Sequence, residues 1–254
     1  MPRDPNRPPA EDDEFFVGYL PTPPGTRRFV ALVVVVMLLL TAGMAAGATY
    51  LQRFPSDARG RRASVTGLVR LSPEPHLVAV DEATGEIATY LMGGGGKSAV
   101  GRAVRDRDGA IASLSGRLLS RGGRSFLEVY RSEDGALEEA TEARLRAVEP
   151  EDLGEVEVVG EVMDSKCFYG AMHPGNGPTH RPCAQLCILG GVPPVLVAYT
   201  EAGEPTHYLL AGPEGDIRRD VLRYAGQAVR VRGALERRAD LLILRVDPAR
   251  IDRL

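Results

Sequence analysis

The sequence predicts a mainly β protein: an N-terminal transmembrane helix followed by two five-stranded barrels that are copies of one another. Three observations carry that expectation. Residues Phe29 to Leu51 form 23 consecutive positions without a charge. The remainder of the chain aligns with itself in a single order. Runs of alternating apolar residues are separated by Gly, Asp and Pro turns, in a chain with 29 Gly, 19 Pro and no Trp. The 254 residues leave room for a tail, an anchor and about two small domains. A net charge of -3 excludes a nucleic-acid partner held by bulk charge. Three cysteines are too few for a disulfide framework.

The uncharged stretch reaches about 34 Å as a helix, enough for a hydrocarbon core of about 30 Å. A core helix would carry polar positions at helical spacing, and none occur. A signal peptide stays open as an alternative, because Thr41-Ala42-Gly43 and Ala45-Ala46-Gly47 are small enough for cleavage. Arg27 and Arg28 flank one side, and Arg53, Arg59, Arg61 and Arg62 the other. Long domains translocate largely regardless of such charges, so we read a cytoplasmic N-terminus and an exported C-terminal part. Residues 1–28 read as a disordered, Pro-rich cytoplasmic tail, and residues 29–52 as the transmembrane helix. Within the tail, Phe15, Phe16 and Tyr19 form an aromatic cluster. It is either an interfacial belt or a motif that docks another membrane protein.

The duplication fixes the remaining boundaries. Leu77 to Glu86 followed by Thr89-Tyr90-Leu91-Met92 aligns with Leu196 to Glu204 followed by His207-Tyr208-Leu209-Leu210. Val65-Thr66-Gly67-Leu68-Val69 matches Val158-Val159-Gly160-Glu161-Val162, and Leu114-Ser115-Gly116 matches Val231-Arg232-Gly233. Phe126-Leu127-Glu128-Val129 then corresponds to the run ending Leu244-Arg245-Val246. Each copy reads strand, strand, strand, helix, strand, strand, the helix being clearest from Ile217 to Ala225, with Asp216 as N-cap and Gly226 as stop. That order resembles the OB-fold, a small Greek-key barrel. We place the first OB-like domain at residues 60–150 and the second at 154–254.

The copies differ in one loop. Between its first two strands, copy one has Leu71-Ser72-Pro73-Glu74-Pro75, whereas copy two has an insertion at 164–194 that holds all three cysteines. Pro182 suits the first turn of a short helix on which Cys183 and Cys187 share a face. The turn Pro174-Gly175-Asn176-Gly177 can fold Cys167 back towards that pair. The candidate metal ligands are Cys167, His180, Cys183 and Cys187, with Met172 and His173 as possible additional ligands. Thiolate and imidazole suit copper, zinc or an iron–sulfur centre. A structural disulfide joining Cys167 to Cys183 or Cys187 and a redox-active dithiol remain open beside the metal reading. Asp164 and Lys166 read first as a solvated turn, and alternatively as groups that orient a ligand and tune the Cys167 thiol. Gly93-Gly94-Gly95-Gly96-Lys97-Ser98 lacks the leading glycine of a P-loop and reads as a flexible barrel loop. His76 and His207 read as packed histidines, and no catalytic triad or carboxylate pair stands out.

Cys183-Ala184-Gln185-Leu186-Cys187 looks like the cysteine loop of binuclear-copper domains, but the following residues supply no His or Met. The loop as a whole, Asp164-Ser165-Lys166-Cys167 with His180, Cys183-Ala184 and Cys187, resembles one in a family of uncharacterised bacterial single-pass membrane-anchored proteins. Phe15-Phe16-Val17-Gly18-Tyr19-Leu20-Pro21 is similar to their start. The resemblance implies a bacterial inner-membrane protein with its C-terminal domains in the periplasm, and names no activity. One anchor plus an OB barrel also resembles the haem chaperone of cytochrome c maturation, whose His-x3-Tyr is absent here. The combined expectation is a non-catalytic accessory subunit with a Cys/His metal or redox centre, serving a respiratory or redox membrane complex. The alternatives are a structural protein with a stapled loop and a thiol-redox protein.

Overall fold

The computed structural model describes residues 24–51 and 60–254; Phe15, Phe16, Tyr19, Arg53 and Arg59 lie outside the described residues. Helix α1 (Pro24–Leu51) is long and apolar enough to cross a membrane, with a mean hydropathy of 2.7 over its best window. It begins inside the span assigned to the tail, because proline fits the first turn of a helix, where its missing N–H costs nothing. Thr41 and Thr49 hydroxyls donate to the carbonyls of Met37 and Ala45, so the polar groups within the helix are satisfied.

The first barrel comprises β1 (Arg61–Arg70), β2 (His76–Val80), β3 (Ile87–Gly93), the single turn α2 (Arg102–Arg105), β4 (Ile111–Arg121) and β5 (Arg124–Asp134). Its strands close in the order β1-β2-β3-β5-β4, the closing pair β3–β5 being parallel. Alternate residues such as Leu77, Tyr90, Met92, Leu114 and Leu127 fill its interior. Helix α3 (Glu139–Arg146) packs Leu145 against Leu68 and Val78 outside the barrel.

The second barrel comprises β6 (Glu151–Asp164), α4 (Arg181–Leu189), β7 (Pro194–Tyr199), β8 (Pro205–Ala211), α5 (Arg218–Val221), β9 (Ala228–Arg238), β10 (Leu241–Arg245) and β11 (Ile251–Arg253). The ring β6-β7-β8-β10-β9 closes through a parallel β8–β10 pair, and β11 is added beyond β9. The helix expected over Ile217 to Ala225 is shorter, α5 running on as a tight 3-10 turn over Leu222–Tyr224. Asp216 Oδ1 accepts the Arg218 N–H at 2.8 Å, so the carboxylate supports the helix start from one position further out.

Aligned glycines meet the same backbone in both copies. A Cβ on Gly67 would strike the Val78 carbonyl oxygen, and one on Gly160 would lie 2.6 Å from that of Val197. A Cβ on Gly116 would strike the Glu128 carbonyl, and one on Gly233 that of Arg245. Val78 and Val197, and Glu128 and Arg245, are the pairs that the repeat aligns. Shared steric constraint explains why these positions stayed glycine in both halves.

The barrels are joined by a common core. Leu91, Leu119 and Phe126 of the first barrel cluster with Val195, Leu209 and Ile243 of the second, and with Phe168 and Tyr169 from the insertion. Arg124 pairs with Asp240 across this junction, and Ala99 N–H donates to Gly190 O at 2.7 Å. Glu74 of the first barrel is buried with Arg218 Nε of the second 3.4 Å from its Oε1. Burial outweighs the pull of Arg218 and pushes the Glu74 carboxyl up to about 7, with the Asp216 carboxylate adding to the rise.

The sign of the resulting pH dependence follows from linkage. Between about pH 4.5 and 7 the folded carboxyl keeps a proton that the unfolded chain loses, so this group lowers stability as pH rises through that window. Burial holds His76 and His207 down to about 4, and they act in the opposite sense between about 4 and 6.5. A Glu74→Gln variant isolates the carboxyl. Its stability relative to the parent, from urea titrations, is expected to be greater at about pH 8 than at about pH 4.5. The reverse order would mean that Arg218 dominates.

Candidate metal centre

The insertion is built around the end of β6. Asp164 closes the strand, and its Oδ1 accepts the Cys167 N–H at 2.8 Å, which turns the chain into a wide helical turn, Cys167–Ala171. Gly170 sits at φ 132° within that turn. Gly175, at φ 71°, packs so closely beneath it that a Cβ would lie 2.6 Å from the Cys167 carbonyl oxygen. The chain then returns through Gly177 to His180, which stands at the N-cap of α4, with Pro182 in the helix's first turn. Gly190 caps the far end, where a Cβ would strike the Lys97 carbonyl.

This path brings Cys167 close to His180 and Cys183 on one side and to Cys187 on the other. Cys167 Sγ lies 3.9 Å from Cys183 Sγ and 3.8 Å from Cys187 Sγ, and all three cysteines are free thiols. Ligand atoms of Cys167, His180 and Cys183 fall within 4.8 Å of one another, as do those of Asp164, Cys167 and Cys187. A tetrahedral site with metal–sulfur bonds of about 2.3 Å has edges of about 3.8 Å, so the sulfur spacing suits one shared ion. His180 Nε2 meets the Asp164 Oδ2 at 2.8 Å, both groups being buried. That contact holds the ring in place, and an Nε2–H donated to Asp164 would leave Nδ1 as the nitrogen able to bind an ion.

The solvated turn expected at Asp164 and Lys166 is overturned: the two residues are 0% and 4% exposed. Asp164 bonds both the turn and His180. The Lys166 ammonium donates to Gly94 O (2.8 Å), Gly96 O (2.6 Å) and Glu128 Oε1 (2.9 Å). The loop expected at residues 93–98 is exposed from Gly95 to Ser98 and packed at its start. Gly93 and Gly94 are buried, and a Cβ on Gly94 would lie 2.5 Å from Ala99 O. The loop delivers Lys97 to the site, with Nζ 2.6 Å from Cys183 Sγ and 3.7 Å from Cys187 Sγ.

Met172 is exposed at the mouth of a cavity of about 260 Å³ that reaches Cys167 and Cys187. His173 is half-buried. Lys97 and Glu128 were missed by the sequence reading, and no local signal marks them, since they stand 86 and 38 residues from their partners. His76 donates to Glu74 O, and His207 bonds the Tyr169 hydroxyl, as packed histidines do.

The thiols are unequal. A hydrogen bond from Cys167 lowers the Cys187 pKa, whereas that same bond, followed by burial, raises Cys167. Of the two thiols, Cys187 is therefore the readier to give up its proton. The Lys97 ammonium is raised above its usual range by its bond to Cys183.

These features define a two-barrel protein with a Cys/His cluster at the barrel junction and an apolar N-terminal helix. Compared with known proteins, the chain matches no protein-family model and, at a significant level, no curated protein.

Lys166→Met removes one partner of a buried ion pair and is expected to cost about 3–5 kcal/mol in urea titrations. Adding Glu128→Leu is expected to recover part of that loss, because the stranded carboxylate is removed with it. Equal losses in the single and double variants would assign the cost to packing alone.

Proposed function

We propose that the protein is a membrane-tethered, non-catalytic accessory subunit that holds a metal or redox centre for a respiratory or redox membrane complex. One observation carries the reading. Three reduced thiols and a histidine oriented by a buried carboxylate converge from two segments, at the sulfur spacing of a metal–thiolate tetrahedron. In this reading Cys167, Cys183, Cys187 and His180 bind the ion, and Asp164 holds the imidazole. Three thiolates around a divalent ion leave one net negative charge, and Lys97 is placed to offset it. Zinc, copper and an iron–sulfur centre all accept such donors, and the Met172 thioether at the mouth favours copper. The anchor keeps the barrels at the inner membrane on its periplasmic side, and the aromatic tail motif at Phe15, Phe16 and Tyr19 contacts the partner.

A thiol-redox protein is the second reading. The observation favouring it is the cation placed on Cys183, the most accessible of the three sulfurs.

The test uses the full chain in detergent, reduced and free of oxygen, titrated separately with zinc, copper(I), and iron with sulfide. About one metal equivalent per chain is expected, lost in Cys183→Ser. Asp164→Asn is expected to weaken binding about 10–100-fold, as for other groups that orient a ligating imidazole. Absence of uptake in all three titrations, with a disulfide formed from Cys167 on exposure to air, would replace this reading with the stapled loop.

A further inference from the structure

The contact between Lys97 and Cys183 is closer than a hydrogen bond between those atoms requires. At 2.6 Å it is shorter than the range of about 2.7–3.2 Å for N–H···O bonds, although sulfur is the larger acceptor. It is still too long for a direct sulfur–nitrogen bond. The two atoms stand at the separation that a single bridging atom spans. Both are reachable from solvent, since Lys97 is exposed and Cys183 is half-buried. The loop that presents Lys97 is clamped by the Lys166 ammonium and by the Ala99–Gly190 hydrogen bond, so the approach is built into the fold.

We propose that Cys183 and Lys97 form a peroxide-dependent covalent switch, a sulfur–oxygen–nitrogen bridge that removes Cys183 from the ligand set. First, the Cys183 thiolate attacks hydrogen peroxide: an S–O bond forms, the O–O bond breaks, and the departing hydroxide takes a proton from the Lys97 ammonium. Sulfur loses two electrons and becomes a sulfenic acid, and the nitrogen is left as a neutral amine beside it. A second peroxide then accepts two electrons from the Lys97 nitrogen as the N–O bond closes onto the sulfenic oxygen. One hydrogen from nitrogen and one from the sulfenic acid leave in two waters. In sum, thiol, amine and two peroxides give the bridge and three waters, and four equivalents of a thiol reductant reverse it.

The competing sulfurs are worse placed. Cys167 Sγ stands 3.9 Å away, and Cys187 lies one turn along the same helix, where a disulfide needs the helix to distort. The bridge stands on this geometry alone; only its consequence, release of the ion, rests on the metal reading.

The test treats the reduced, metal-free full chain in detergent with hydrogen peroxide, followed by proteolysis without reductant and mass spectrometry. The expected product joins the Lys97 and Cys183 peptides, heavier than their sum by one oxygen less two hydrogens, and dithiothreitol returns both. Lys97→Arg, which keeps the charge, and Cys183→Ser are expected to abolish it. A disulfide from Cys183 with Lys97 unmodified, a link lacking the oxygen, or Cys183 carried to sulfinic acid would each overturn the bridge. Metal content, measured in parallel on reduced protein, separates the two ideas. Uptake by reduced protein that persists after peroxide sinks the switch and leaves the metal reading standing. A bridge in protein that never takes up metal leaves the cross-link standing without its consequence.

Discussion

The buried ammonium of Lys166 is the contact on which the site depends. It leaves the insertion of the second barrel, crosses the junction, and spends its three donors on two loop carbonyls and the Glu128 carboxylate of the first. Because every donor is used, the charge is tolerated at 4% exposure. The consequence is positional. Holding Gly94 and Gly96 from above fixes the short loop that carries Lys97, and Lys97 therefore reaches Cys183 and Cys187 from a different domain. The cysteine cluster is thus completed by a barrel that contributes none of the cysteines.

The two barrels share a fold and divide the labour. Both keep the glycines that let β1 lie on β2 and β4 on β5, and their counterparts in the second copy. They differ in the loop between first and second strands, one of the places where OB-like barrels bind ligands. In the first copy that loop is short and delivers Glu74 to the junction. In the second it has grown into the turn at Cys167 and helix α4, and Phe168 and Tyr169 from it enter the common core. Packing of those two aromatic rings anchors the inserted segment to the core that joins the barrels. Arg121 adds to this by stacking over Phe168 and donating to its carbonyl.

What the sequence made readable follows from how local each signal is. The barrels were readable because Leu77-Val78-Ala79-Val80 and Leu196-Val197-Ala198 are matching apolar runs and lie in the same order relative to their glycines. Helix α4 was readable from Pro182 at its start and Gly190-Gly191 at its end. The four candidate ligands were readable as the cysteines and a neighbouring histidine of one insertion. The surroundings were not, because burial is a property of the whole fold. Asp164-Ser165-Lys166 is a polar tripeptide that suits a surface turn until a second domain covers it. Likewise, four glycines before Lys97 signify flexibility in isolation, whereas here the first two are needed because backbone and the Phe126 ring leave no space for side chains at Gly93 and Gly94.

Protons and cations compete for the same negative charge at the junction. The contact with Cys187 and burial push the Cys167 thiol up, and Cys183 meets the Lys97 amino group. A metal held by all three sulfurs would displace the Cys167 proton and take over much of the neutralisation supplied by Lys97, so uptake is tied to proton release. Because Cys167 and Cys187 are also members of the hydrophobic core that joins the barrels, the ion would act on the junction as well as on its ligands. Any ligand that binds only the folded junction stabilises it in proportion to its concentration over its dissociation constant. Metal occupancy and cohesion of the two barrels would then be a single linked equilibrium, with the Lys97 loop as the element that both states share.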